Sequence, residues 1–255
     1  MTAITRRKAV KQFGLGSAFL MVGGCRWKNL WKKHKITLSF DDGLERSSIK
    51  TAEIYEKYKL SATINVLAKG FRVKDPTTPP LGDFDLWNDL QSGGHEIMPH
   101  GYNHSHLPQL PFEEACELIN ECLDTFSEKL DGFVAENAIF NFPYNDSTQE
   151  LEDYLKTKVR AFRTSGPAVN PLPHPGQFRL TCISDGPGNI DKHLDKTIDE
   201  FLEGPPGWLI YNTHGLDGVA WGPMSSVFLD ELLDRLTGLD SVEVLSITQA
   251  LNQLP

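Results

Sequence analysis

The sequence predicts an α/β fold, a distorted barrel of seven or eight β/α units forming a single domain. Short apolar runs bounded by polar, Gly or Pro residues alternate with amphipathic segments along most of the chain. This alternation is typical of a parallel sheet with crossover helices. The length of 255 residues, with 40% hydrophobic and 23% charged residues, suits one globular domain with a full core.

Eight runs have the length and composition of buried strands. In chain order they are 36–40, 62–67, 96–98, 139–142, 159–162, 178–183, 208–211 and 242–245. Four intervening segments repeat apolar residues at helical spacing and are predicted helices. These helices are 49–58, 112–130, 195–202 and 227–236. The proline-containing segments 76–80 and 167–175 are predicted loops between elements.

Residues 1–24 are predicted to be an export signal. Basic residues at 6–8 and 11 precede an uncharged run, 13–22, that is too short to span a bilayer. Residues 5–11 resemble a twin-arginine motif, and residues 22–25 resemble a lipoprotein signal in which Cys25 is lipidated. We therefore predict an exported protein that is lipid-anchored to the cell envelope. A plain signal peptide or an uncleaved N-terminal anchor is the alternative.

Residues 25–35 are predicted to be a basic tether between the signal and the barrel domain at 36–255. The tether carries five Lys or Arg residues and two Trp, a composition that suits an anionic membrane surface or a solvated linker. The net charge of the whole chain is −9, and it becomes −13 without the four basic residues of the signal. Without the tether it is about −18, which argues against nucleic acid as a partner.

The four cysteines do not form a metal-type Cys-x-x-Cys motif. Apart from Cys25, Cys116 and Cys122 lie six residues apart on one predicted helix, so their side chains do not meet. Cys182 could pair with either of them, or all three could be buried thiols.

Three predicted strands end in residues that can bind metal or transfer protons. Asp41 and Asp42 follow the first strand, His100 and His104 the third, and His214 the seventh. Because the carboxyl ends of barrel strands lie on one face, we expect these side chains to lie close together. A site with carboxylate and imidazole ligands is typical of a hydrolytic metal centre.

Each pair has a structural interpretation beside the functional one. Two adjacent carboxylates can converge at a strand-to-loop bend, or they can cap the following helix. The four-residue spacing of His100 and His104 would place both imidazoles on one side of a helical turn, whereas the alternative is a His-rich surface loop. His214 is either an acid/base group or a structural histidine.

The remaining histidines are assigned to other roles. His106 is interpreted as a structural residue or one that supports a ligand, and His95 as a strand-entry residue. Three histidines are expected at the surface, namely His34, His174 and His193.

The motifs resemble those of the polysaccharide deacetylases (carbohydrate esterase family four). Residues 39–43 resemble the first motif, 94–97 with 100–107 the second, 140–144 the third and 209–214 the last. The resemblance implies a distorted β/α barrel that acts on an acetylated polysaccharide or oligosaccharide.

The resemblance also implies roles for individual residues. Asp42, His100 and His104 would hold a divalent metal, usually Zn²⁺. Asp41 would be the general base and His214 the general acid. The segment of Pro143 and Tyr144 would donate a backbone N–H to the oxyanion or line the groove.

The third motif departs from the family pattern at Asn141, where many members carry an Arg that pairs with the catalytic base. Arg163, after the next predicted strand, could supply the missing charge. Without any cation, the pKa of Asp41 would be less depressed. The fourth motif of the family is not recognisable, so no partner that orients His214 is identified.

These observations predict a metal-dependent deacetylase that removes N-acetyl groups from a glucosamine-type glycan of the cell envelope or extracellular space. One alternative is an O-acetyl esterase that acts on acetylated polysaccharide with the same residues. The other is a glycan-binding protein that kept the barrel and lost turnover.

Overall fold

A computed structural model describes residues 33–71 and 79–253 of the chain. The predicted export signal, Cys25, most of the tether and most of the 76–80 loop lie outside these residues. Within the described ranges, no helix combines the length and the apolarity needed to cross a bilayer.

The described residues form nine strands and seven α-helices. The strands are β1 (His34–Phe40), β2 (Thr63–Val66), β3 (Glu96–Pro99), β4 (Ile139–Asn141), β5 (Ala161–Ser165), β6 (Val169–Asn170), β7 (Arg179–Cys182), β8 (Trp208–Thr213) and β9 (Val242–Val244). The helices are α1 (Glu45–Lys57), α2 (Phe84–Ser92), α3 (Phe112–Lys129), α4 (Gln149–Leu155), α5 (Asp191–Glu203), α6 (Ser226–Thr237) and α7 (Ile247–Asn252).

The strands form a barrel made of two sheets. The first sheet has the order β3-β2-β1-β8-β6, with β9 paired to the beginning of β1, and the second has the order β4-β5-β7. A parallel bridge between Ile183 and Tyr211 joins β7 to β8. Between β3 and β4, the Ile139 N–H donates to the Met98 sulfur at 3.4 Å. The predicted distorted β/α barrel is therefore confirmed, and the distortion lies at the junctions between the two sheets.

Side chains alternate between the barrel interior and the helix layer along each strand, as the two-residue period of a strand requires. On β8, Leu209 and Tyr211 pack into the main core with the helices. Trp208 and Ile210 instead join a smaller apolar cluster that includes Ile247 of α7. The strands' amino ends therefore enclose an apolar plug, while the polar residues described below occupy the carboxyl ends.

Three helices and one strand were missed by the sequence analysis. Helix α2 buries only Trp87, and α4 and α7 have seven and six residues, so all three present a weak apolar pattern. The predicted loop 167–175 contains β6, which pairs antiparallel with β8 through Val169 and Asn170. A two-residue strand is too short to show a period of two.

His34 and Lys35 were wrongly assigned to the surface and to the tether. Both belong to β1, and His34 is only 8% exposed because its ring packs edge-on against Phe201 at 4.8 Å. The Lys35 ammonium donates to a Glu243 carboxylate oxygen at 2.7 Å. His174 and His193 are exposed, as expected.

Cys116, Cys122 and Cys182 are buried free thiols, so the disulfide alternative is wrong. Burial raises the pKa of the Cys182 thiol to about 11. These cysteines fill space in the core.

Glu96 ties the amino end of β3 to α7. Its buried carboxylate accepts hydrogen bonds from the Ile247 and Thr248 backbone N–H groups at 3.0 and 2.7 Å. It also accepts from the hydroxyls of Thr63 and Ser246 at 2.8 and 3.2 Å. The helix that closes the apolar plug is thus fastened to the strand that leads to His100.

We expect Glu96→Ala to lower the free energy of unfolding by about 3 kcal/mol, because it leaves two helix N–H groups unpaired in a buried position. Urea unfolding monitored by circular dichroism measures this loss. Glu121→Ala, at an exposed position in the middle of α3, is the control and should change stability by less than about 0.5 kcal/mol. Equal effects of the two substitutions would contradict this role of Glu96.

Candidate metal and catalytic site

The two aspartates converge because the chain turns sharply after β1. Asp42 and Gly43 both adopt left-handed backbone conformations, with φ of 74° and 69°. A Cβ at Gly43 would lie 3.0 Å from side-chain atoms of Val66 and Trp87, so the turn requires glycine. The N-cap residue of α1 is Leu44, and no side chain caps this helix through a hydrogen bond. The helix-capping alternative for the aspartates is therefore wrong.

His100 and His104 come together in an irregular segment, and the helical turn invoked from their spacing does not exist. Gly101 has φ of 83° and His104 has φ of 56°, and these left-handed residues fold the chain back on itself. A Cβ at Gly101 would lie 3.0 Å from the Pro143 side chain. The imidazole centroids of the two histidines consequently lie 5.3 Å apart.

Asp42, His100 and His104 have the geometry of a metal site. The Asp42 Oδ1 atom lies 3.5 Å from His100 Nε2 and 3.4 Å from His104 Nε2. Ligand atoms bound tetrahedrally to one Zn²⁺-sized ion at about 2.0–2.1 Å lie roughly 3.4 Å from one another. Asp42 Oδ1 and His100 Nε2 are buried and have no hydrogen-bond partner among the described residues, which is costly unless a ligand binds them. These three residues therefore fit a divalent metal ion.

The two histidines present nitrogens that a metal can bind. His100 Nδ1 lies 3.0 Å from the Asn141 carbonyl, which can only accept, so Nδ1 carries a proton and Nε2 is the nitrogen that faces Asp42. Burial lowers the pKa of His100, but the Asp41 and Asp42 carboxylates outweigh it and raise the pKa, so a metal ion would take the place of a proton on Nε2. Burial and the neighbouring His100 lower the pKa of His104 to about 4. His104 is thus neutral at physiological pH.

Asp41 has a different environment from Asp42 and is bonded to protein groups on both oxygens. The Arg163 Nη2 atom donates to Asp41 Oδ2 at 2.6 Å, and the Asn65 amide donates to Oδ1 at 2.7 Å. Arg163 also donates to the Ser39 hydroxyl at 3.0 Å. Arg163 is fully buried, and Asp41 is 2% exposed.

Arg163 keeps Asp41 ionised. Burial raises the pKa of Asp41, but the Arg163 guanidinium, with smaller contributions from His100 and His214, outweighs it. The net result is a pKa well below the ordinary value for aspartate. A cation is therefore present beside Asp41, and the weaker lowering of its pKa that was expected without one does not apply.

Asn141 and Arg163 are neighbours across the β4–β5 pair, where they are partners in the strand register. The buried Asn141 amide donates to Asn65 Oδ1 at 2.8 Å and thereby supports the residue that bonds Asp41. The positive charge beside Asp41 is thus supplied by a residue of β5, whereas the family motif places it on β4, at the position of Asn141.

Tyr144 lies on a turn with two successive left-handed residues, since φ is 60° at Tyr144 and 50° at Asn145. Pro143, just before it, is buried. The Asn145 side chain donates to Asn212 Oδ1 at 3.0 Å, and its carbonyl accepts from the Thr164 hydroxyl at 3.1 Å. These bonds tie the turn to β8 and β5.

His214 follows β8 and faces the same cavity. Its Nδ1 atom is buried and has no hydrogen-bond partner in the part of the chain that the structure describes. The ring instead packs edge-on against Trp221, with centroids 5.5 Å apart. The Thr213 hydroxyl donates to the Gly222 carbonyl at 2.9 Å and holds the loop that carries Trp221. Packing, rather than a carboxylate, fixes the imidazole.

His106 and His95 lie apart from the metal trio. His106 Nε2 is 2.7 Å from an Asp146 carboxylate oxygen, and the His106 ring lies 4.8 Å from the ring of Tyr144. His95 accepts a hydrogen bond from the Ala62 N–H at 3.2 Å just before β3.

A cavity of about 430 Å³ unites the site at the carboxyl ends of the strands. Its walls contain both aspartates, the two histidines of the trio and His214, together with Tyr144, Asn145, Ser184, Asn212 and Trp221. Sequence reasoning missed Asn65, Asn145, Asn212 and Trp221. Asn65 and Asn212 carried a signal, since each is an amide side chain at an inward position of a strand that is buried along its whole length.

Comparison with known families gives a match to the polysaccharide deacetylase profile over residues 28–163. The match covers more than half of the chain and contains Asp41, Asp42, His100, His104 and Arg163. The chain belongs to the polysaccharide deacetylase family. Metal-dependent deacetylation of glycans is the activity typical of that family. A search of curated protein sequences found no match.

Solved structures of this family share the fold. The peptidoglycan deacetylase PdaC from Bacillus subtilis is 20% identical with a TM-score of 0.55, and the alignment covers 86% of this chain and 90% of that one. The CE4 domain of a multidomain xylanase from the hindgut metagenome of Trinervitermes trinervoides is 13% identical with a TM-score of 0.56, covering 87% and 91%. A CE4 family pseudoenzyme from Bacillus anthracis is 16% identical with a TM-score of 0.55, covering 87% and 66%.

We expect Arg163→Met to raise the pKa of Asp41 and to destabilise the metal-free protein by about 3–5 kcal/mol at neutral pH, because it leaves a buried carboxylate without its cation. The depressed pKa of Asp41 stabilises the wild type above the ordinary carboxyl pKa, and this contribution is lost as the pH falls towards the folded-state value. The destabilisation by Arg163→Met should therefore shrink as the pH falls below about 4.

Urea unfolding at several pH values and ¹³C titration of the Asp41 carboxyl by NMR measure these two effects. Arg46→Met removes an exposed arginine and serves as the control. A loss of stability that is the same at about pH 3 and at pH 7 would refute the role assigned to Arg163.

Proposed function

We propose that this protein is a Zn²⁺-dependent deacetylase that hydrolyses N-acetyl groups of a glucosamine-type glycan. The observation that carries the proposal is the pair of adjacent aspartates with different partners. Asp42 Oδ1 is buried without a protein donor beside two imidazole nitrogens, whereas Asp41 is bonded to Arg163. One carboxylate is thus available to a metal, and the other is held ionised beside it.

Asp42, His100 and His104 would hold the ion. Two imidazoles and one carboxylate form a set of three protein ligands typical of catalytic zinc sites. The bound ion would polarise the acetyl carbonyl and acidify a water molecule.

Asp41 is assigned the role of general base. It takes one proton from the attacking water while the water oxygen forms a bond to the acetyl carbonyl carbon. Arg163 and Asn65 each use one lone pair of the carboxylate and leave a further lone pair on each oxygen for this proton. The Arg163 charge makes Asp41 a weak base but guarantees that it is ionised at working pH.

His214 is assigned the role of general acid. It donates a proton to the sugar nitrogen as the carbon–nitrogen bond breaks, which yields acetate and a free amine. The exposed turn at Tyr144 offers its backbone N–H to the oxygen that becomes negatively charged during attack. This N–H donates no hydrogen bond to another described residue.

Two alternatives use the same site. An O-acetyl esterase would need the same base and acid with an alcohol as the leaving group. A glycan-binding protein without turnover would hold glycan in the same cavity and release no acetate. Acetate release from chitin oligomers, peptidoglycan and acetylated xylan distinguishes these functions, since each gives a different pattern of substrates.

We also propose that the protein is exported and lipid-anchored through Cys25 to the cell envelope, where such glycans occur. The basic start, the short uncharged run and the small residues before Cys25 support this localisation. Metabolic labelling with a fatty acid, compared between wild type and Cys25→Ala, tests it.

Substitution of the proposed base and substitution of a proposed metal ligand should separate turnover from metal binding. Asp41→Asn should keep bound zinc and reduce acetate release by at least about 10²-fold, because it removes the base. His104→Ala should lose zinc as well as activity, because only two ligands are left. Metal content by mass spectrometry and acetate release measure the two effects. Normal turnover by Asp41→Asn would exclude the mechanism.

We expect Asn145 to position the Tyr144 N–H. Asn145→Gly keeps the left-handed backbone accessible but loses the side-chain bonds to Asn212 and from the Cys182 thiol, so kcat should fall several-fold. Asn145→Ala loses these bonds and also disfavours the left-handed backbone, so its kcat should fall further, by about another 1 kcal/mol of backbone strain. Comparison of kcat and KM for the two variants checks this, and equal activity of both would show that the turn geometry is unimportant.

A further inference from the structure

Trp221 lies in the loop between β8 and α6 and borders the catalytic cavity beside His214. Its indole meets the imidazole of His214 edge-on, with the ring planes 82° apart and the centroids 5.5 Å apart. The side chain is 44% exposed, so it is not held in place by burial in the core. Trp221 is thus the aromatic neighbour of the residue assigned as the general acid.

The indole also rests on the backbone of Gly186. A Cβ atom at Gly186 would lie 2.5, 2.6 and 2.8 Å from three indole atoms, closer than real Cβ contacts. No side chain fits between this backbone and the ring, so a larger residue at position 186 would displace the indole. Two separate parts of the chain therefore determine where the ring lies.

The loop that carries Trp221 is fastened on both sides. The Gly222 N–H donates to the Pro187 carbonyl at 3.1 Å, and the Gly222 carbonyl accepts from the Thr213 hydroxyl at 2.9 Å. Ala220, just before the tryptophan, has φ of 66°, a left-handed conformation that is unfavourable for alanine. Such a conformation persists only where the surrounding contacts enforce it. The indole is therefore presented to His214 by a strained and firmly bonded loop.

His214 has no hydrogen bond that fixes the orientation of its ring. Its Nδ1 atom is buried without a partner among the described residues, whereas most buried polar atoms are hydrogen-bonded. With Nδ1 turned inwards, Nε2 is the nitrogen left to face the cavity. Rotation of the ring by half a turn about the Cβ–Cγ bond would put carbon atoms in the places of both nitrogens. Packing against Trp221 opposes this rotation.

The orientation of Nε2 matters for one class of leaving group. The nitrogen of a sugar amide must receive a proton as the carbon–nitrogen bond breaks, so the donating N–H has to lie within hydrogen-bond reach of it. Small errors in such a geometry slow the reaction strongly. An activated ester such as 4-nitrophenyl acetate differs, because its phenolate leaves without taking a proton.

We propose that Trp221 is a positioning residue for His214 and takes the place of a hydrogen-bonding partner on Nδ1. This inference rests on the proposed function and extends it. The indole holds Nε2 towards the cavity, so hydrolysis of an amide depends on Trp221 and hydrolysis of an activated ester does not.

The first test compares two substrates of the metal-loaded protein, the tetramer of N-acetylglucosamine and 4-nitrophenyl acetate. Trp221→Ala should lower kcat on the tetramer by about 30- to 100-fold, with less than about a threefold change on the ester. Trp221→Phe keeps an aromatic ring beside the imidazole and should restore kcat on the tetramer to within about fivefold of wild type. Phe178→Ala removes an exposed aromatic side chain outside the cavity and is the control, with both activities unchanged.

A double variant shows whether Trp221 acts through His214. Trp221→Ala/His214→Ala should be no slower on the tetramer than His214→Ala alone, because nothing is left to position. A further loss of kcat in the double variant, or an equal loss on both substrates from Trp221→Ala, would overturn the inference and leave the proposed function standing.

The imidazole itself gives a readout independent of turnover. In ¹H–¹³C spectra of the metal-free protein, the ring of His214 should give one sharp set of signals in wild type and in Trp221→Phe. These signals should shift and broaden in Trp221→Ala, and unchanged signals there would contradict the positioning role. Absence of acetate release by wild type from every glycan would instead overturn the proposed function, and with it the acid to be positioned.

Discussion

The buried ion pair between Asp41 and Arg163 is the interaction on which the rest of the site depends. Two opposite charges enclosed in a barrel need hydrogen bonds to stabilise each of them, and Ser39 and Asn65 supply such bonds. Of the polar atoms of this ion pair, only the buried Nε of the guanidinium has no partner among the described residues. The pair links β1 to β5 across the barrel interior, and Asn141 extends the network to β4. Hydrogen bonds therefore link the polar carboxyl ends of the strands to one another, as apolar packing links their amino ends.

This network gives two neighbouring carboxylates different chemistry. Asp41 points into the barrel interior, where Arg163 keeps its carboxylate ionised. The left-handed turn at Asp42 directs the next carboxylate towards two imidazoles. Environments that differ in this way are how proteins separate roles between identical side chains. The cost is a strained backbone at Asp42, at His104 and at Tyr144, all of which border the catalytic cavity.

The sequence predicted the barrel and the face on which the site lies, because apolar strands and the residues that end them are local features. It predicted that His100 and His104 meet, but for a wrong reason. Their approach depends on left-handed residues fixed by tertiary contacts, such as Gly101 against Pro143, which spacing alone does not reveal. The burial of His34 escaped prediction for the same reason, since Phe201 is distant in sequence. Arg163 became a candidate only because Asn141 stands where the family motif has arginine. That the two residues are partners in the strand register is visible only in the folded sheet.

That register has a consequence for how members of this family are read from sequence. Asn141 and Arg163 lie side by side on adjacent strands, so a guanidinium anchored at either position can approach the same carboxylate. The requirement imposed by the chemistry is a positive charge at one point in space, and two places in the chain can satisfy it. A linear motif that demands arginine on one strand would classify such a protein as defective, whereas a motif defined on the folded sheet would recognise that the charge has changed strands.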